Sequence, residues 1–137
     1  MLFELDERLA LDCFELGRLD FCRLLLMNNA AVPWFVLVPE SNVTEICDLS
    51  ADEQALLWSE VNRVAGYVRS AFSVDKLNIG AIGNIVSQLH VHVVGRRQDD
   101  YCWPGVVWGS QWEQKYTESE VTQLRDTMAA TLKELTD

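Results

Sequence analysis

Two short apolar runs dominate the first third of the chain. Residues 21–27 (Phe21-Cys-Arg-Leu-Leu-Leu-Met27) and 34–38 (Trp34-Phe-Val-Leu-Val38) are separated by Asn28-Asn29 and Pro33, and Pro39 follows the second. Runs of this length and continuity, bounded by punctuators, predict two buried strands joined by a turn. The period then changes. Leu57, Val61, Val64, Val68, Ala71 and Phe72 step by threes and fours, the stripe of an amphipathic helix of about 20 residues. Ser50-Ala-Asp-Glu53 before it fits a capping box, in which the Ser hydroxyl takes an orphan N–H and Glu53 reaches back to the cap. Thr117-Glu-Ser-Glu120 repeats that signal, with Tyr116 and Val121 placed for a hydrophobic staple. Val121, Leu124, Met128, Leu132 and Leu135 then predict a C-terminal helix within 117–136.

Between the helices, residues 76–82 read as a strand, Gly80 and Gly83 allow a tight return, and residues 88–95 read as a second strand. Strand, strand, helix, strand, strand, helix predicts one α+β domain over residues 1–137, with an antiparallel sheet and two main helices. No repeat, low-complexity tract or linker divides it.

Composition narrows the function classes. With 21 acidic against 11 basic side chains, a net charge of −10 and a pI near 4.5, extended binding to a nucleic-acid polymer is disfavoured. Residues 86–97, however, hold Arg96, Arg97 and no acid, a local positive strip that suits a small anion. No apolar run approaches a membrane span, and MLFELDERLALD has neither the basic start nor the apolar stretch of a signal peptide. Cys13, Cys22, Cys47 and Cys102 are scattered, with no Cys-x-x-Cys pair. They read as reduced thiols of a cytoplasmic protein.

His90 and His92 are the only histidines. Alternation along a strand puts Gln88, His90 and His92 on one face and Leu89, Val91 and Val93 on the other, against the core. Three readings compete. The pair could belong to the half-polar outer face of a surface strand. It could be part of a metal site, because imidazoles at this spacing are good ligands, although no Cys, Asp or Glu stands at a telling distance. Or one imidazole could act as a nucleophile toward phosphorus. That role needs no cofactor, only a fixed tautomer and a donor for the phosphoryl oxygens.

Gln88-Leu-His-Val-His-Val-Val94 resembles the histidine-triad (HIT) signature, His-φ-His-φ-His-φ-φ with φ apolar, Gln replacing the first His. Leu77-Asn78-Ile-Gly-Ala-Ile-Gly83 resembles the hairpin that precedes the triad in that family. Pro33-Trp-Phe-Val-Leu-Val-Pro39 resembles its apolar strand ending in proline, and Trp103-Pro104-Gly105 resembles the close of its nucleoside-phosphoramidase branch. The resemblance spans roughly residues 20–105. It implies a HIT-like fold and a nucleotide hydrolase or transferase that works through a nucleotidyl-histidine on a phosphoramidate or dinucleoside polyphosphate, with a purine nucleotide as substrate. His90 falls on the nucleophile and His92 on the histidine at the phosphate and leaving-group side. Gln88 falls on the first triad position, Gly83 on a glycine whose backbone lies close to the phosphate, and Asn78 and Asn28 on nucleotide-contacting and ribose-contacting positions. A homodimer is implied too, which would account for apolar Val106, Val107 and Trp108.

Two departures bear on this. Gln88 can donate and accept hydrogen bonds but cannot carry charge, and Ile85 stands where many members offer a hydroxyl. A nucleotide-binding protein with little catalysis, or a His-x-His metal-binding protein, are the alternatives. Arg96 and Arg97 would point in opposite directions, so at most one faces substrate. Trp103, Trp108 and Trp112 read as packing residues, Cys102 reads as a structural thiol, and the segment 106–137 has no role in the resemblance.

Overall fold

The computed structural model describes residues 2–112, 114–132 and 135–137. A short helix α1 (Glu7–Asp12) leads into strands β1 (Cys13–Arg18), β2 (Cys22–Met27) and β3 (Trp34–Pro39). Helix α2 (Ala51–Ala71) crosses over to β4 (Lys76–Gly80) and β5 (Val91–Arg96), and helix α3 (Glu118–Thr131) follows. The strands form one antiparallel sheet in the order β1-β2-β3-β5-β4. It is the predicted α+β arrangement with two main helices, plus α1 and β1.

Both faces of the sheet are covered, and for that reason β2 and β3 read as continuous apolar runs. Leu24, Leu26, Phe35, Leu37, Val91 and Val93 point to the face on which α2 and α3 pack. The opposite face carries Leu25, Met27, Trp34, Val36, Val38 and Val94, closed by Leu9 and Val107. Both capping boxes are formed, Ser50 with Glu53 and Thr117 with Glu120. Gly95 is required by the close seat of α2 on β5: a Cβ there would lie 2.9 Å from carbons of Pro33, Val68 and Val74.

Three expectations are corrected. The predicted strand 88–95 is Val91–Arg96. Residues 88–90 precede it because β4 ends at Gly80, opposite His92, and leaves them no ladder partner on that side. The tight return at Gly80 and Gly83 is instead a loop over 81–90. The C-terminal helix stops at Thr131; Leu132 and Leu135 are still buried, and Thr136 pairs with the backbone of Arg18. The last part of the predicted helix includes residues 133 and 134, which lie outside the described residues. Strand β1 has no clean alternation because a bulge shifts its register between Glu15 and Gly17.

Candidate active site

Strand β5 presents His92 on the face opposite α2, and His90 lies just ahead of the strand on the same side. Both are buried, and their rings stand 5.0 Å apart at 71°. Each ring is held through Nδ1, and the two holds are opposite in kind. His90 Nδ1 is 2.7 Å from the backbone carbonyl of Gln88. A carbonyl only accepts, so that nitrogen carries a proton, and in the neutral ring Nε2 keeps its lone pair. His92 Nδ1 is 2.9 Å from the indole nitrogen of Trp34, which only donates. Nδ1 of His92 is therefore an acceptor, and the proton of its neutral ring sits on Nε2. Burial first, and the neighbouring His90 second, push the His92 pKa down to about 3, so at neutral pH His92 is an uncharged donor. One Nε2 offers a lone pair and the other a hydrogen-bond donor.

The Trp34 contact follows from register. Val36 pairs with His92 across the ladder and Trp34 lies two residues along β3, a diagonal that only a long side chain spans. In sequence Trp34 reads as a strand residue alone; its bond to His92 joins positions far apart in the chain and leaves no local signature.

Two clefts meet at His90. One, of about 370 Å³, runs between the loop 81–90 and residues 44–47 and is lined by Gly83, Asn84, Ser87 and Gln88. The other, of about 330 Å³, holds Met27, Trp34, Trp108 and Trp112 beside His90 and His92, with Arg8 and Asp12 of α1 at its edge. The tryptophans pack as expected, Trp34 against Trp112 at 5.7 Å and Trp108 against His92 at 5.4 Å. They also form a cleft wall.

Gly83 shares the first cleft with His90. Asn78 is engaged away from it, its Oδ1 accepting from Arg96 at 2.9 Å. Asn28 accepts from the Tyr116 N–H through Oδ1 and from the Trp112 indole through its carbonyl. The Gln88 side chain turns away from His90, and only its backbone carbonyl reaches that ring. Arg96 is buried, bonded through Nε and Nη2 to both Asp100 oxygens, with Cys102 Sγ alongside; Arg97 pairs with Asp99. Neither arginine lines either of these two clefts. Among the described residues no group of three His, Cys, Asp or Glu could hold a metal ion.

A family model for the HIT domain matches residues 9–99. The chain belongs to the HIT family. This HIT protein is 42% identical to a histidine triad protein from Sinorhizobium meliloti 1021, covering 95% of this chain and 97% of that one at a TM-score of 0.91. A histidine triad protein from Marinobacter aquaeolei VT8 is 39% identical over 99% of this chain and 100% of its own, at 0.92. One from Bradyrhizobium japonicum is 35% identical over 96% and 99%, at 0.91. Among curated proteins none matches. HIT proteins are in general nucleotide hydrolases or transferases. No helix among the described residues is long and apolar enough to cross a membrane.

Proposed function

We propose that this HIT protein cleaves a bond at the α-phosphorus of a nucleoside phosphoramidate or dinucleoside polyphosphate through a nucleotidyl-histidine on His90. The observation that carries the reading is the pair of opposed tautomers. His90 Nε2 attacks phosphorus, an N–P bond forms, and the bond to the leaving group breaks with its electron pair. The positive charge that develops on the His90 ring is held by the Gln88 carbonyl at Nδ1. His92 donates from Nε2 to a phosphoryl or leaving-group oxygen or nitrogen, the kind of fixed donor that stabilises charge as it develops. With Nδ1 occupied by the Trp34 N–H, His92 would become an imidazolate if it gave up its proton. It is a donor and not a proton source. The leaving group takes its proton from a water molecule as its bond to phosphorus breaks, and the hydroxide so formed later takes up the proton released when water attacks the adduct. Water then attacks the adduct and releases the nucleoside monophosphate and free His90.

Electrostatics favour an amine leaving group. The first cleft holds Glu45 as its one charged side chain among the described residues, and in the second Arg8 is paired with Asp12 at 3.6 Å. Neither offers an uncommitted cation to a polyphosphate chain. The aromatic cleft suits a purine, since base stacking on aromatic side chains is worth about 1–3 kcal/mol. Gly83 is assigned to the phosphate side of the first cleft. Asn28 and Asn78 would reach a nucleotide only by exchanging their present partners. Pairing of two copies through the exposed edge strand β4 is part of the reading; Val107 is buried within its own chain and Trp108 packs on His92, so of the apolar tail only Val106 is left for a second copy.

The test is incubation with matched phosphoramidates and dinucleoside polyphosphates, followed by acid-labile adduct trapping and mass spectrometry. Nucleoside monophosphate release with an adduct on His90 is expected. Turnover with no adduct, or an adduct elsewhere, overturns the assignment.

A further inference from the structure

The first triad position raises a question the proposed chemistry leaves open, because Gln88 turns its side chain away from the nucleophile. Its Oε1 accepts from the backbone N–H of Asp6 at 2.8 Å, and its Nε2 donates to the carbonyl of Glu4, also at 2.8 Å. An N–H and a carbonyl two residues apart on one segment are the pair that a neighbouring strand engages in a parallel ladder. The amide of Gln88 thus takes the place of one added strand residue alongside Leu5. A primary amide can do this because its oxygen and nitrogen sit on one carbon and can face the same way. An imidazole cannot, since its two nitrogens point away from each other across the ring.

What the segment does next gives the bonds their consequence. Phe3 and Leu5 pack against the core on the site side of the sheet. Asp6 is also the N-cap of α1, its carboxylate accepting from the Arg8 N–H at 2.8 Å. The helix it starts sends Arg8, Leu9 and Asp12 into the wall of the aromatic cleft, facing His90 and His92. The loop that carries the nucleophile and the wall opposite it are therefore joined through one side chain.

We infer that Gln88 is a positioning residue, a clasp that holds residues 4–6 and through them seats α1 as the wall of the nucleoside-binding cleft. It acts on binding rather than on the bond-breaking step. The functional half rests on the nucleotide reading above; the clasp itself is read from the two hydrogen bonds.

The experiment uses the full chain with Gln88→Leu, which keeps bulk and loses both bonds, and Gln88→His, which restores the family residue. Amide hydrogen exchange without ligand should accelerate at Asp6 and through α1 by about tenfold or more in both variants. On a nucleoside phosphoramidate, KM should rise about tenfold while kcat stays within about threefold, and the affinity for a nucleoside monophosphate should fall in step. Should Gln88→Leu not fold, Gln88→Asn breaks the same span by one methylene. Unchanged exchange at Asp6 overturns the clasp. A fall in kcat at constant KM overturns its assignment to binding. A rise in kcat of about a hundredfold in Gln88→His would show that the site lacks an imidazole and overturn the inference. If the native protein neither turns over nor binds any nucleotide, the proposed function fails, and the exchange data still decide the clasp.

Discussion

At the residue scale, His90 and His92 sit side by side and present opposite hydrogen-bonding character at Nε2 because their Nδ1 partners differ. The two should therefore fail differently when replaced. His90→Ala removes the proposed nucleophile and gives up a single hydrogen bond to a carbonyl, so turnover should be lost by several orders of magnitude while the melting temperature stays near that of the native protein. Steady-state assay and thermal melting on one preparation check this; near-native hydrolysis would remove His90 from the nucleophile's role. His92→Phe keeps an aromatic ring but strands the Trp34 indole N–H, which is buried. It should cost about 1–3 kcal/mol in urea unfolding as well as about a hundredfold or more in rate. A variant that lost rate with no loss of stability would contradict the Trp34–His92 bond.

At the element scale, α2 lies against β5 at a spacing that Gly95 sets, since three carbons from different segments already crowd the place of its missing Cβ. Gly95→Ala should push helix and strand apart and cost about 1–3 kcal/mol, read from urea midpoints at constant slope. This packing is also where the sequence was most legible. The stripe from Leu57 to Val68, its capping box, and the uninterrupted runs of β2 and β3 each state their environment locally, and α2, β2 and β3 appear close to where those patterns put them. Strand β1 was not legible, because its bulge breaks the two-residue period. Helix α1, six residues long, is too short to show a stripe. The pair His90 and His92 could be read from spacing and family resemblance. The roles of Trp34 and of the Gln88 side chain could not, because both depend on strand register and on contacts with the far end of the chain.

For the whole molecule, stability should carry the mark of its buried ionisable groups. His92 is held neutral in the fold, its pKa lowered from 6.5 to about 3. The unfolded chain takes up the proton first, so this contribution is complete above about pH 6.5 and is lost as the pH falls toward 3. Asp100 works at lower pH. Its hydrogen bonds to Arg96 bring its pKa from 3.8 down to about 2, a contribution present above 3.8 and lost as the pH falls through 2. Unfolding free energies measured from pH 7 to pH 3 should decline, and His92→Phe should flatten the part between 6.5 and about 3. An unchanged slope would remove His92 as its source. Metal is a second molecule-wide test: activity should survive excess chelator, and stoichiometric zinc lost together with activity would favour a metal site at the histidines instead.

The ion pair between Arg96 and Asp100 has a consequence for how ligand reaches the protein. The strip at residues 86–97 looks positive along the chain, yet in the folded molecule Arg96 is neutralised by Asp100 and Arg97 by Asp99. No positive patch remains there to offset a net charge of −10. Under the proposed function an incoming nucleotide, itself an anion, approaches against the field of the protein, with fixed dipoles around the histidines to hold it at short range. Added salt screens that repulsion over roughly 8–10 Å at ordinary ionic strength. Association should therefore speed up as salt is raised, the reverse of a steered encounter. Stopped-flow binding of a nucleoside monophosphate across a salt series reads this directly, and an on-rate that falls with salt would mean that an exposed cation lies on the path.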